Sequence, residues 1–190
     1  MFRRIIVLFA LLVLTSCGDN AEPTSETTSA APAPVPTITE TTTAELTVAE
    51  PETLTIPAID LEAELVGVGL NEDGSMETPE YDQNLAGWYT EGPPPGEPGP
   101  AVIAAHVDSQ TGPDTFARLH ELEPGDEVIV TDEEGQEYTW TVERQERSDR
   151  TELPYDSIWN DTDDAVLRLI TCAGAYVDGS YVENLIVYAE

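Results

Sequence analysis

From residue 54 to residue 190 the chain is a succession of short apolar runs cut by turn residues, and that rhythm confines it to an all-β architecture. Strands are expected over 54–59, where Pro57 marks an end or an edge, and over 65–70, closed by the turn Asn71-Glu72-Asp73-Gly74. Further strands are expected over 84–89 and 101–107, separated by a proline- and glycine-rich loop over 92–100 that is neither helix nor inner strand. Residues 127–131 and 138–143 flank Asp132-Glu133-Glu134-Gly135 as a hairpin whose second arm runs on towards Arg147. Phe116, Leu119 and Leu122 predict a short helix over 115–122, and residues 181–188 close the chain as a strand. Seven to nine short strands with one or two helical turns argue a closed β-barrel or a sandwich.

The run 166–172 matters most for chemistry. Val166, Leu167, Leu169 and Ile170 form a buried strand bounded by Asp163-Asp164 and Gly174, and it delivers Cys172 at its end. A nucleophile needs that placement, because a rigid element holds its attack geometry. The chain has two cysteines, Cys17 and Cys172. If Cys17 is consumed by processing, Cys172 has no intrachain partner and is either an inert core thiol or one kept for reactivity.

Residues 1–17 begin with Arg3-Arg4, continue with an apolar run over 5–14 and end in Leu14-Thr15-Ser16-Cys17-Gly18. The run is a signal-peptide core, too short to serve comfortably as a permanent span. Its end resembles a bacterial lipobox, which implies cleavage before Cys17 and lipidation of that sulfur, so the protein is expected at the outer face of the membrane. Residues 18–52 consist almost wholly of Ser, Thr, Pro, Ala and Glu and cannot bury enough apolar surface to fold. They read as a disordered tether of up to about 100 Å that leaves 53–190 as the folded domain.

The formal net charge is −31, from 38 acidic and 7 basic residues, and there is no lysine. Such a surface is a poor partner for nucleic acid or anionic lipid and is read as adaptation to habitat. The acidic residues lie in runs such as Asp132-Glu133-Glu134, which read as solvated turns, and Asn71-Glu72-Asp73-Gly74-Ser75 lacks the spacing of an EF-hand loop. No metal and no other cofactor is expected, and the protein is expected to act as a monomer.

His106 ends the expected strand 101–107 as Cys172 ends its own, whereas His120 lies in the charged segment Arg118-Leu119-His120-Glu121. A thiol and an imidazole at two strand ends are the minimum for thiolate catalysis: the imidazole takes the thiol proton and later protonates a leaving amine.

The domain resembles the sortases, specifically the small actinobacterial type called class F, with class E close by. The resemblance rests on Ile56-Pro57-Ala58-Ile59, Gly87-Trp88-Tyr89, Gly92-Pro93-Pro94-Pro95-Gly96-Glu97-Pro98-Gly99-Pro100-Ala101 and Ala105-His106-Val107-Asp108-Ser109. It continues in Leu122-Glu123-Pro124-Gly125-Asp126, Leu169-Ile170-Thr171-Cys172 and Asn184-Leu185-Ile186-Val187-Tyr188-Ala189. It implies a closed eight-stranded β-barrel and a cysteine transpeptidase in which Cys172 attacks the backbone carbonyl of a C-terminal sorting signal and His106 carries the proton. The partners implied are a surface-protein sorting signal and an amine acceptor of the cell wall or a pilin. Thr171 matches the family's threonine before the cysteine, and Asp108 matches an acidic position near its histidine, read either as orienting the site or as a plain loop residue.

One position departs. The family carries an arginine on the last strand, and here Ser180-Tyr181-Val182-Glu183-Asn184 puts Val182 there. Loss of one oxyanion donor costs about a hundred- to a thousandfold in rate. Arg168 is the arginine nearest Cys172 in sequence, but four residues at about 3.3 Å each leave them about 13 Å apart, so it reads better as a barrel-end cap than as a substrate-positioning group. Arg144, Arg147 and Arg150 lie near the long loop before the cysteine strand, and the sequence selects none of them. Three readings stay open: a working sortase with the arginine role filled from elsewhere, a slow hydrolase, and a sortase-shaped module that binds a peptide or wall ligand without catalysis. An L,D-transpeptidase fits less well, because His106 lies 66 residues before Cys172 rather than close upstream.

Overall fold

The computed structural model describes residues 48–190; the leader, Cys17 and most of the tether lie outside the described residues. Eight strands form the described unit: β1 (Pro51–Ile56), β2 (Leu61–Val68), β3 (Leu85–Tyr89), β4 (Gly99–Ala104), β5 (Glu127–Asp132), β6 (Glu137–Asp149), β7 (Ala165–Val177) and β8 (Ser180–Ala189). They close into a barrel in the order β1-β2-β3-β4-β7-β8-β6-β5. The pairs β2/β3 and β4/β7 are parallel and the remainder antiparallel. β1 opens at Pro51, two residues before the expected domain start.

Strand alternation sorts the side chains into two layers. Leu54, Ile56, Ala101, Ile103, Val128, Val130, Leu167, Leu169, Leu185 and Val187 point inward and form one buried core. Each large aliphatic side chain buried there contributes about 1.5–3 kcal/mol. Val102, Ile158, Ile186 and Tyr188 form a second, smaller cluster outside the barrel wall, with Ile158 supplied by the short helix α1 (Tyr155–Ile158).

Four expectations are corrected. Residues 115–122 are not an α-helix: turns lead into a single 3-10 turn, Leu119–Glu121. Phe116, Leu119 and Leu122 recur at intervals of three, the 3-10 period, and all are buried, so the apolar pattern was real and its period misassigned. The Phe116 amide donates to the His106 carbonyl at 2.8 Å, which ties this segment to the site. Pro100, assigned to the stiff loop, instead lies in β4. β3 pairs only with the far end of that strand, at Ala104 and Ile103, so no ladder donor is required of Pro100 on that side. β4 ends at Ala104, and His106 stands two residues beyond it. Finally, β7 continues through Cys172 to Val177, so the cysteine lies within its strand. The strand passes Gly174 by a register shift between Ala173 and Tyr176, with Gly174 at φ +78°. The glycine taken as a terminator is a bulge, a conformation β7 can include because glycine has no Cβ.

Candidate active site

The parallel pairing of β4 with β7 brings His106 and Cys172 together. Every pair in that ladder, from Gly99 with Ala165 to Ala104 with Ile170, is offset by 66 residues, and the Ala105 amide still donates to the Ile170 carbonyl at 3.3 Å. His106 and Cys172 share the same offset. That offset puts both just past the last regular pair, at the same end of two neighbouring chains. Alternation gives both the same face. Ala101, Ile103 and Ala105 point into the core, as do Leu167, Leu169 and Ala173, so His106 and Cys172 point outward.

Thr171 points the other way. Its side chain is 5 % exposed, and its hydroxyl donates to the Ala105 carbonyl at 2.8 Å. The residue before the cysteine is thus bonded to the residue before the histidine.

His106 is held from outside by the segment between β2 and β3. Its Nε2 lies 2.9 Å from the Pro79 carbonyl. A carbonyl only accepts, so Nε2 carries the proton and Nδ1 is left as the basic nitrogen. The Tyr81 ring stacks on the imidazole, with centroids 3.8 Å apart and planes 17° apart.

Cys172 is a half-buried free thiol. Burial pushes its pKa up; the positive charge of Arg150 opposes that rise and the carboxylate of Asp108 adds to it. Asp108, in the loop after β4, accepts a hydrogen bond from the Tyr181 hydroxyl of β8 at 2.5 Å. The same bond, helped by desolvation, raises the Tyr181 phenol to about 12.

Arg168 shares the outer face of β7 with Cys172 but does not join it. It is 2 % exposed, and its guanidinium donates to the carbonyls of Leu167 at 3.0 Å and Ala189 at 3.4 Å and to Asn160 Oδ1 at 3.0 Å. It lies 4.9 Å from the Tyr188 ring and 3.6 Å from a Glu190 carboxylate oxygen. These contacts make it a structural cap at the far end of the strand. Arg144 lies over Tyr188, 3.4 Å from the ring centroid, and pairs with Glu146 at 2.7 Å. Arg147 pairs with Glu183 at 3.2 Å. Of the arginines the sequence left open, Arg150 is the one whose charge acts on the thiol.

Three contacts of the site had no signal in the sequence: Pro79 and Tyr81 on His106, and Tyr181 on Asp108. All join segments far apart in the chain. Among the described residues no group of three or more His, Cys, Asp or Glu side chains is arranged to hold a metal ion.

The arrangement brings a free thiol, an imidazole and an arginine whose charge acts on the thiol to one end of the β4/β7 pair, residue types that acyl transfer through a thioester uses. Solved structures share the barrel. Sortase C1 from Streptococcus suis superposes with a TM-score of 0.59 at 15% identity, over 75% of this chain and 72% of that one. Sortase C-1 from Actinomyces oris gives 0.58 at 20% identity, over 73% and 70%. A lid mutant of sortase A from Corynebacterium diphtheriae gives 0.58 at 19%, over 74% and 70%. No curated protein matches the chain. The sortase domain model matches residues 54–190, the barrel from its first strand to its last residue, and by that match the chain belongs to the sortase family.

Proposed function

We propose that this protein is a lipid-anchored, extracytoplasmic cysteine transpeptidase of the class F type. The observation that carries the reading is that the parallel β4/β7 register, offset by 66 residues, leads to His106 and Cys172 at the same end of the pair. The Cys172 proton passes to Nδ1 of His106 as the sulfur bonds to the carbonyl carbon of a sorting-signal peptide. The tetrahedral intermediate then breaks its C–N bond, and the imidazolium proton leaves with the amine, giving an acyl-thioester. An acceptor amine from the cell wall or a pilin attacks the thioester and releases the thiolate; water does the same more slowly. Cys17 places the enzyme at the outer membrane face, and residues 18–52 give it reach. A non-catalytic, sortase-shaped peptide-binding module is the second reading, favoured by Val182 where the family carries arginine.

The test is the intact mass of the full chain in detergent after incubation with a peptide library randomised over five central positions, with hydroxylamine as acceptor. A mass increase on the protein together with hydroxamate product, both absent in Cys172→Ala, is the expected result. Protein that is folded and alkylated by iodoacetamide at Cys172, yet forms neither adduct nor product, would establish the binding module instead.

A further inference from the structure

The outer face of β6 carries a polar row beside the thiol that the chemistry above leaves unused. Ser148 on β6, Asn184 on β8 and Cys172 on β7 are paired across three adjacent strands, so all three side chains stand on one face. One step along, the Arg150 amide donates to the Val182 carbonyl at 2.9 Å, which extends the β6/β8 ladder past the last residue of β6. Alternation places Arg150 and Val182 on the same face as Ser148, Asn184 and Cys172. The backbone there is fixed from the other side as well. Asp149 Oδ1 accepts the Thr151 amide at 2.9 Å and the Thr151 hydroxyl at 2.6 Å, and the Glu152 amide donates to the Asp149 carbonyl at 3.0 Å. Arg150 sits at the corner of that turn.

Two further observations show that donors of this row lack protein partners among the described residues. Arg118, Arg144, Arg147 and Arg168 all hold carboxylates within 4 Å, whereas among the described residues Arg150 has no ion pair and no side-chain hydrogen bond, in a chain with 38 acidic residues. The Ser148 hydroxyl, two residues back on the same face, is buried and has no partner among the described residues. A guanidinium and a buried hydroxyl without protein partners beside Cys172 are hydrogen-bond donors that an anionic oxygen can engage.

We propose that Arg150 is the catalytic cation of this site: its guanidinium, delivered by β6 next to Val182 on β8, binds the scissile carbonyl oxygen as that oxygen becomes an anion. The proposal rests on the transpeptidase reading and identifies the group that takes the role Val182 cannot. As Sγ bonds to the carbonyl carbon, the π pair moves onto oxygen; the Arg150 N–H groups hydrogen-bond it without giving up a proton. The pair returns to re-form C=O as the C–N bond breaks. A guanidinium suits this task because it is planar, permanently charged and presents parallel donors.

The experiment compares the full chain in detergent as wild type, Arg150→Ala, Arg150→Lys and Arg150→Ala with Val182→Arg. Two readouts are followed: thioester formation with the randomised peptide library, and the pH profile of iodoacetamide alkylation at Cys172. Arg150→Ala is expected to slow thioester formation about a hundred- to a thousandfold and to move the alkylation midpoint upward, because the charge that favours the thiolate is gone. Arg150→Lys keeps the alkylation midpoint but recovers only part of the rate, and Val182→Arg on the Arg150→Ala background restores most of it. Thioester formation at the wild-type rate in Arg150→Ala overturns the proposal and leaves the transpeptidase reading intact. So does an alkylation profile that Arg150→Ala does not move. A wild-type chain that forms no Cys172 adduct overturns the transpeptidase reading, and the proposal falls with it.

Discussion

The Thr171 hydroxyl donates to the Ala105 carbonyl at 2.8 Å, joining the residue before Cys172 to the residue before His106. The bond closes the open end of the β4/β7 ladder, beyond the last regular pair, Ala104 with Ile170. Replacing Thr171 by valine keeps the shape and leaves a buried carbonyl without its donor. We expect Thr171→Val to lose about 1–3 kcal/mol of stability, read from urea denaturation. Thioester formation should also slow in the fraction that remains folded, because this bond ties the residue before Cys172 directly to the residue before His106. Unchanged stability with an unchanged rate would show that the ladder alone sets the spacing.

Asp108 is an electrostatic load on the thiol. Its carboxylate raises the Cys172 pKa on top of burial, while it accepts the Tyr181 hydroxyl. Asp108→Asn keeps an acceptor oxygen and removes the charge. A lost negative charge lowers a neighbouring thiol pKa, so the midpoint of Cys172 alkylation should fall in the variant. The Tyr181 phenol, held at about 12, should drop towards the ordinary value of about 10, read by phenolate absorbance. An alkylation midpoint that rises or stays fixed would remove Asp108 from the electrostatics of the site.

The barrel was legible because strands announce themselves through short apolar runs and turn residues, and β1 to β8 fall on the runs read from the chain. Bounds failed where one residue type serves two ends. In the sequence Gly174 looks like a stop because glycine often is one, and only the β7/β8 pairing shows it as a bulge within a strand. Phe116, Leu119 and Leu122 fit a helix until the loop hydrogen bonds are seen. Cys172 and His106 were recognisable as residue types at the edges of apolar runs, but their offset acquires meaning only once β4 and β7 are known to pair in parallel. Arg150 could not be separated from Arg144 and Arg147 in the sequence. The separation comes from strand register and from which carboxylates the other two already hold.

Arg168 provides the contrast for Arg150. It is buried against two backbone carbonyls and Asn160, four residues before Cys172 on β7. Burial pulls its pKa down, with Glu190 the main opposing influence. Arg168→Met fills the space without the charge but leaves those acceptors unpaired, so stability should fall by about 1–3 kcal/mol in urea denaturation. Thioester formation per folded molecule should match wild type. A hundredfold loss of rate in stable, folded Arg168→Met would return the catalytic cation to β7.

Gly174 lies two residues past Cys172 at φ +78°, in the left-handed region. A Cβ there would meet Glu183 Cδ at 2.9 Å and Glu183 Cγ at 3.1 Å. Two costs are therefore mixed in Gly174→Ala: about 1–2 kcal/mol for the backbone conformation and a further part for displacing Glu183 from its pairing with Arg147. The second part is small, because an exposed pair of this kind contributes about 0–1 kcal/mol. Gly174→Asn separates them. It carries the same Cβ into the same contact, but asparagine tolerates the left-handed region better than alanine. The alanine variant should be the less stable of the two in urea denaturation, and both should slow thioester formation by shifting the bulge that fixes β7 between Cys172 and Tyr176. Equal losses in the two variants would assign the cost to the Glu183 contact. No loss in either would mean that β7 can run past Cys172 without the bulge.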